Sequence, residues 1–162
     1  MNKLSKEELL ALGFSYVGDD VLVSRRAVFH AITGSLGDGA RIDDFAVLTG
    51  NLKIGRHTHI SPFCFLGGTG GCITLEAGVG LSTHVSIFTK SDDYQYKSDG
   101  PRNKIQGDVI VQENTIFGSQ CVILPGSIVG SNCSVGVGCV INGVIPSFER
   151  LVSVGIRSVS LP

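Results

Sequence analysis

Large apolar residues recur at intervals of six along nearly the whole chain. Val17, Val23 and Phe29 open the series, and after one step of seven Leu36, Ile42, Leu48, Ile54, Ile60 and Leu66 continue it. After a three-residue insertion come Leu75, Leu81 and Ile87; after a long polar stretch come Val111, Phe117, Ile123, Val129, Val135 and Ile141. None of these eighteen positions is polar. A period of six suits neither a helix, at about 3.6 residues per turn, nor a flat amphipathic strand, at about 2. It suits a coil with three short sides, one hexapeptide to a side, and a repeat of this kind announces a β-solenoid.

A second column fixes the register. Four residues after most of the large ones stand small or β-branched residues: Val21, Ala27, Ala40, Ala46, Thr58, Cys64, Val79, Val85, Ser91, Thr115, Cys121, Ser127, Cys133 and Cys139. Leu52 and Ile145 are larger exceptions. Gly, Asp, Asn and Ser fill many intervening positions, which suits corners. The spacing predicts six coils, at 17–35, 36–53, 54–74, 75–92, 111–128 and 129–146, stacked at the ordinary strand separation of about 4.8 Å. Burial of each large aliphatic side chain stabilises by roughly 1.5–3 kcal/mol.

The chain reads as one domain in three parts. Residues 1–16 form an N-terminal cap, with a short helix over Leu4–Leu12 that starts on the S-x-x-E capping box of Ser5 and Glu8 and stops at Gly13. Residues 17–146 form the repeat, and 147–162 form a C-terminal extension expected to fold back over the last coil. Residues 93–108 interrupt the repeat as a protruding polar loop with two tyrosines, and a loop of that length in a compact domain is usually functional.

A net charge of −1 with scattered Lys and Arg gives no basic stripe and argues against nucleic acid. No apolar run approaches the length of about 18 residues that crosses a membrane, and Met1–Phe14 lacks a signal-peptide core, so stable membrane insertion is not expected and an intracellular protein is. On the repeat, Cys64, Cys121 and Cys139 fall in one inward column and Cys133 in another, which makes the cysteines packing residues. Only Cys72 lies in the insertion.

Val122-Ile123-Leu124-Pro125-Gly126-Ser127-Ile128-Val129-Gly130 resembles the I-L-P-G-V-x-I-G segment of hexapeptide-repeat acyltransferases, and Phe117-Gly118-Ser119 is similar to the step before it. Leu12-Gly13-Phe14 and Ser91-Asp92-Asp93-Tyr94 resemble bacterial sugar O-acetyltransferases of capsule and O-antigen clusters, with galactoside and maltose acetyltransferases as more distant relatives. The resemblance implies an all-β fold, a left-handed parallel β-helix. It also implies a homotrimer and acetyl-CoA as co-substrate, in a bacterial, cytoplasmic enzyme of surface-polysaccharide biosynthesis. Carried over by position, the cofactor contacts fall on Gly118, Ser119, Gly136, Val137 and Asn142. Backbone N–H groups near Gly118-Ser119 would hold the oxyanion. Arg157 stands in the closing Gly155-Ile156-Arg157-Ser158-Val159, which lacks the family's proline and terminal basic residue, and would reach a CoA phosphate.

The larger departure concerns the base. Where many relatives place a histidine, this chain has Asp92, followed by Asp93. Carboxylates are weak bases at a pKa of about 3.9, although two together in a cleft can raise one value. His59 and Ser61 lie one coil earlier, where the family forms part of its acceptor-sugar site; Tyr94 follows on the loop. The catalytic candidates are therefore His59, Asp92 and Asp93, with Ser61 and Tyr94 toward the sugar. His57 and His84 fall at corners and are read as solvated, and His30 has no evident partner.

Three other functions compete with this reading. A zinc hydratase like the γ-class carbonic anhydrases needs three histidines, two of them five apart, but two coils on from His59 stands Gln95 and no H-x-x-x-x-H occurs, so no metal site is expected. An ice-binding solenoid needs outward Thr ladders, and the outward residues here are mixed. A catalytically degenerate scaffold remains the main alternative to an acetyltransferase moving acetyl to a sugar hydroxyl or amine.

Overall fold

A computed structural model describes residues 2–92 and 104–153. The chain is a parallel β-solenoid with three faces. The first face stacks Tyr16–Val17, Ser35–Leu36, Lys53–Ile54, Thr74–Leu75, Ile110–Val111, Ile128–Val129 and Val144–Ile145. The second stacks Leu22–Val23, Arg41–Ile42, His59–Ile60, Gly80–Leu81, Ile116–Phe117, Ser134–Val135 and Arg150–Leu151. The third runs from Val28–Phe29 to Val140–Ile141. Each strand ends on a hexad residue pointing inward, because alternate side chains leave opposite sides of a strand. Of the eighteen hexad positions all but Phe29 are buried, and Phe29 packs partly buried against the same core.

The small column forms the inner corners. Ala40, Ala46, Thr58, Cys64, Val79, Val85, Thr115, Cys121, Ser127 and Cys133 have almost no exposed surface. Its polar members stay satisfied by donating to the next coil, Thr58 to the Glu76 carbonyl, Thr115 to Gly130, Cys64 to Ser82 and Cys121 to Gly136. Burial pushes the Cys64 thiol up to about 11, which makes it a packing group. All five cysteines are free thiols.

Both larger exceptions have local causes. Leu52 sits in Val47–Ile54, one unbroken strand that runs from the third face to the first, and packs inward at that bend beside Ile73. Ile145 is not a corner residue. The hexad after Ile141 is shortened, so that Ile145 stacks on Val129 as an inward residue of a new coil. Arg150–Leu151 then pairs in parallel with Ser134–Val135, so residues 147–153 begin a seventh turn, and the rest of the extension, 154–162, lies outside the described residues.

The helix spans Lys6–Ala11, with the Ser5–Glu8 capping box formed and Leu9 buried against the first coil. Arg25 clamps Glu8 through two bonds of 2.8 and 2.7 Å. No described helix is long and apolar enough to cross a membrane. Of the corner histidines, His84 stacks on Phe63 with centroids 5.1 Å apart, and Phe63 stacks on Phe45.

The three-residue insertion forms a bulge in the strand Phe65–Leu75, between the pairs Gly50–Gly68 and Asn51–Cys72. It seats the root of the long loop. That root is an antiparallel ribbon, Lys90–Asp92 against Lys104–Gln106. The Thr89 hydroxyl, fully buried, donates to the Gly67 carbonyl at 2.6 Å and accepts from the Gly70 N–H at 3.0 Å. Asp108 accepts from the Cys72 N–H at 2.8 Å. A Cβ on Gly70 would lie 2.5 Å from that of Lys90, and one on Gly71 would lie 2.7 Å from the Asp108 carboxylate.

Candidate active site

The second face carries an open groove of about 400 Å³. Its lining comes from successive coils: His59 and Ser61, then Gly80 and Ser82, then Ile116 and Gly118, then Ser134, Gly136 and Val137. Outward residues flank each inward one, so Asp43, Ser61, Ser82, Gly118 and Gly136 form one column and Arg41, His59, Gly80, Ile116 and Ser134 form the other. Small residues in both columns keep the floor low, and Leu81, Phe117 and Val135 form the apolar layer beneath.

One end of the groove holds a charged group. His59 Nε2 lies 2.8 Å from Asp43 Oδ2, and Arg41 Nε donates to Asp43 Oδ1 at 2.7 Å. The Asp43 side chain is only 9% exposed, against 44% for His59. Burial pushes the Asp43 carboxyl up, but the hydrogen bonds from His59 and Arg41 outweigh it and hold the group below its ordinary value. Asp43 is therefore a buried anion, and His59 is the half-exposed group that meets the groove.

Of the residues expected from sequence, His59, Ser61, Gly118, Gly136 and Val137 line this groove together. These two glycines also have a packing role between coils. The Gly118 N–H donates to the Val135 carbonyl at 2.7 Å, so it is already committed and is not an oxyanion donor. A Cβ on Gly118 would lie 2.7 Å from the Val137 nitrogen, and one on Gly136 would lie 2.9 Å from the Leu151 oxygen. Both positions need glycine for coil-to-coil approach. Ser119 lies just past the wall, its hydroxyl 3.2 Å from that of Thr83. Asn142 falls elsewhere, in a hollow with Ile145, Leu151 and Ser153, because Ile141 ends a strand of the third face. Asp92 ends the ribbon strand at the loop root and is not among the groove residues. Asp93, Tyr94 and Arg157 lie outside the described residues.

Sequence reasoning missed Arg41, Asp43 and Ser82. The signal for Asp43 was a count: it stands eighteen positions, one regular coil, before Ser61.

No family model matches the chain, and no curated protein does. Solved structures do, acyltransferases among them. AntD, an N-acyltransferase from Bacillus cereus, is similar over 98% of this chain and 89% of its own, at 28% identity and a TM-score of 0.86, in a variant complexed with dTDP and coenzyme A. AntD with dTDP and 3-hydroxybutyryl-CoA matches at 28% identity and a TM-score of 0.84, over 98% of this chain and 88% of its own. A hexapeptide-repeat acetyltransferase of Vibrio cholerae complexed with acetyl-CoA shares the fold at 20% identity and a TM-score of 0.56, covering 88% of this chain and 70% of that one.

Proposed function

We propose that this protein transfers acetyl from acetyl-CoA to a sugar, and that the acceptor is an amine on a nucleotide-linked sugar. The observation that carries this reading is the near full-length likeness to AntD joined to a groove with a histidine–carboxylate pair at one end. AntD has been crystallised with dTDP-4-amino-4,6-dideoxyglucose, and its variants alter a serine and an aspartate ten positions later. Ser82 and Asp92 have that spacing here.

In this reading the thioester lies along Gly118, Gly136 and Val137, and the acceptor amine lies between it and His59. The amine attacks the thioester carbonyl, His59 takes its proton, and the CoA thiolate leaves and is protonated. The Ser82 hydroxyl donates to the oxyanion in place of Gly118, and Ser61 orients the sugar. The groove supplies alignment of the two reactants. A closed homotrimer would bring Asp92 from one subunit to the groove of the next. Such an enzyme would serve surface-polysaccharide synthesis in the bacterial cytoplasm.

Titration calorimetry with acetyl-CoA tests the cofactor. Val137→Trp, at a well-exposed groove position, is expected to weaken binding by about tenfold or more, roughly 1.4 kcal/mol. Gly136 is unsuitable for this test because its Cβ would strike the Leu151 oxygen. Unchanged affinity in Val137→Trp places the cofactor elsewhere. Light scattering tests the assembly: a stable monomer at micromolar concentration removes the shared site and Asp92 with it.

A further inference from the structure

The Arg41–Asp43–His59 group does more than place a histidine. Arg41 and His59 are directly paired on neighbouring strands, and Asp43, two residues after Arg41, leaves the sheet on the same side. Topology therefore brings all three side chains together, and the carboxylate divides its oxygens between two donors: Oδ1 to Arg41 Nε at 2.7 Å and Oδ2 to His59 Nε2 at 2.8 Å.

We infer that Asp43 is a positioning residue for acyl transfer: it holds the neutral His59 ring as its Nε2–H tautomer and so leaves the Nδ1 lone pair to receive the acceptor's proton. An ionised carboxylate only accepts and a guanidinium only donates. The proton in the Asp43–His59 bond therefore belongs to Nε2. Breaking that bond would leave a buried carboxylate oxygen without a partner, which is costly. Arg41 fixes the orientation from the other side. The consequence for turnover rests on the function proposed above; the tautomer does not.

This arrangement makes an unusual demand on Asp43→Asn. Arg41 Nε–H needs an acceptor, so the amide oxygen of the new side chain turns toward Arg41. Its NH2 then faces His59 and requires an acceptor there. Nε2 must give up its proton, and the ring inverts to the Nδ1–H tautomer. Adding Arg41→Leu removes the donor, lets the amide turn round, and allows the Nε2–H tautomer back.

The test is long-range 15N–1H correlation NMR of the neutral His59 ring, run on substrate-free protein beside steady-state kinetics with acetyl-CoA and an amino-sugar nucleotide. Wild type is expected to show a protonated Nε2. Asp43→Asn is expected to show a protonated Nδ1 and a fall in kcat of about 10²-fold or more, with the KM for acetyl-CoA nearly unchanged. Asp43→Asn with Arg41→Leu is expected to regain the Nε2–H tautomer and most of kcat. The inference is overturned by a protonated Nδ1 in wild type, by an unaltered tautomer in Asp43→Asn, by inversion without loss of kcat, or by a double variant that regains neither tautomer nor kcat. A wild-type protein that acetylates no amino sugar would defeat the proposed function, and the tautomer measurements would still decide whether Asp43 sets the ring.

Discussion

His59→Ala is expected to lower turnover by about 10²–10⁴-fold, the usual cost of losing a general base, while acetyl-CoA binds nearly as before. Two observations set this expectation. His59 is the one histidine lining the groove, and a buried anion holds its ring. Asp92→Asn is expected to behave differently. Asp92 stands at the loop root, away from the groove of its own chain, so its loss should raise the KM for the acceptor more than it lowers kcat. Steady-state kinetics on both variants separates the roles. If both keep normal turnover on the true acceptor, neither side chain is the base, and the groove acts by positioning an amine that sheds its proton to water.

Phe117→Ala is expected to destabilise the fold by about 3–5 kcal/mol, measured by urea unfolding. Phe117 is 1% exposed and is the largest fully buried side chain among the described residues. It lies beneath the groove with Leu81 below and Val135 above in the stack. The coils on either side are held by their own ladders and have little freedom to collapse into the space. A loss below about 1 kcal/mol would show that they relax far more than a close-packed interior allows.

Much of the fold was legible because a solenoid turns long-range contacts into simple counting. Adding eighteen to Ile42 gives Ile60, its true neighbour, and the same holds for Cys121 and Cys139. Counting failed where the period changes. The shortened hexad after Ile141 carried Ile145 into a new coil and hid the seventh turn. At the site, a column position does not say which corner a residue meets; Asn142 follows the third face and lies outside the groove on the second. Gly118 and Gly136 line the groove, but their contacts with the next coil are invisible in sequence. Asp43 was missed because an aspartate at a hexad corner looks like any turn residue. Only its distance from His59, across coils, makes it part of a site.

The bulge at Thr69–Gly71 bears on how the long loop can be transplanted. The loop root is bolted to it through Thr89 and Asp108, and Gly70 and Gly71 leave the clearance the root requires. Bulge and loop root are thus one structural unit recorded in two separate stretches of sequence. A graft that transplants the loop alone onto another solenoid would arrive without its socket, so a chimaera meant to exchange the loop has to carry both pieces, 67–72 together with 89–108.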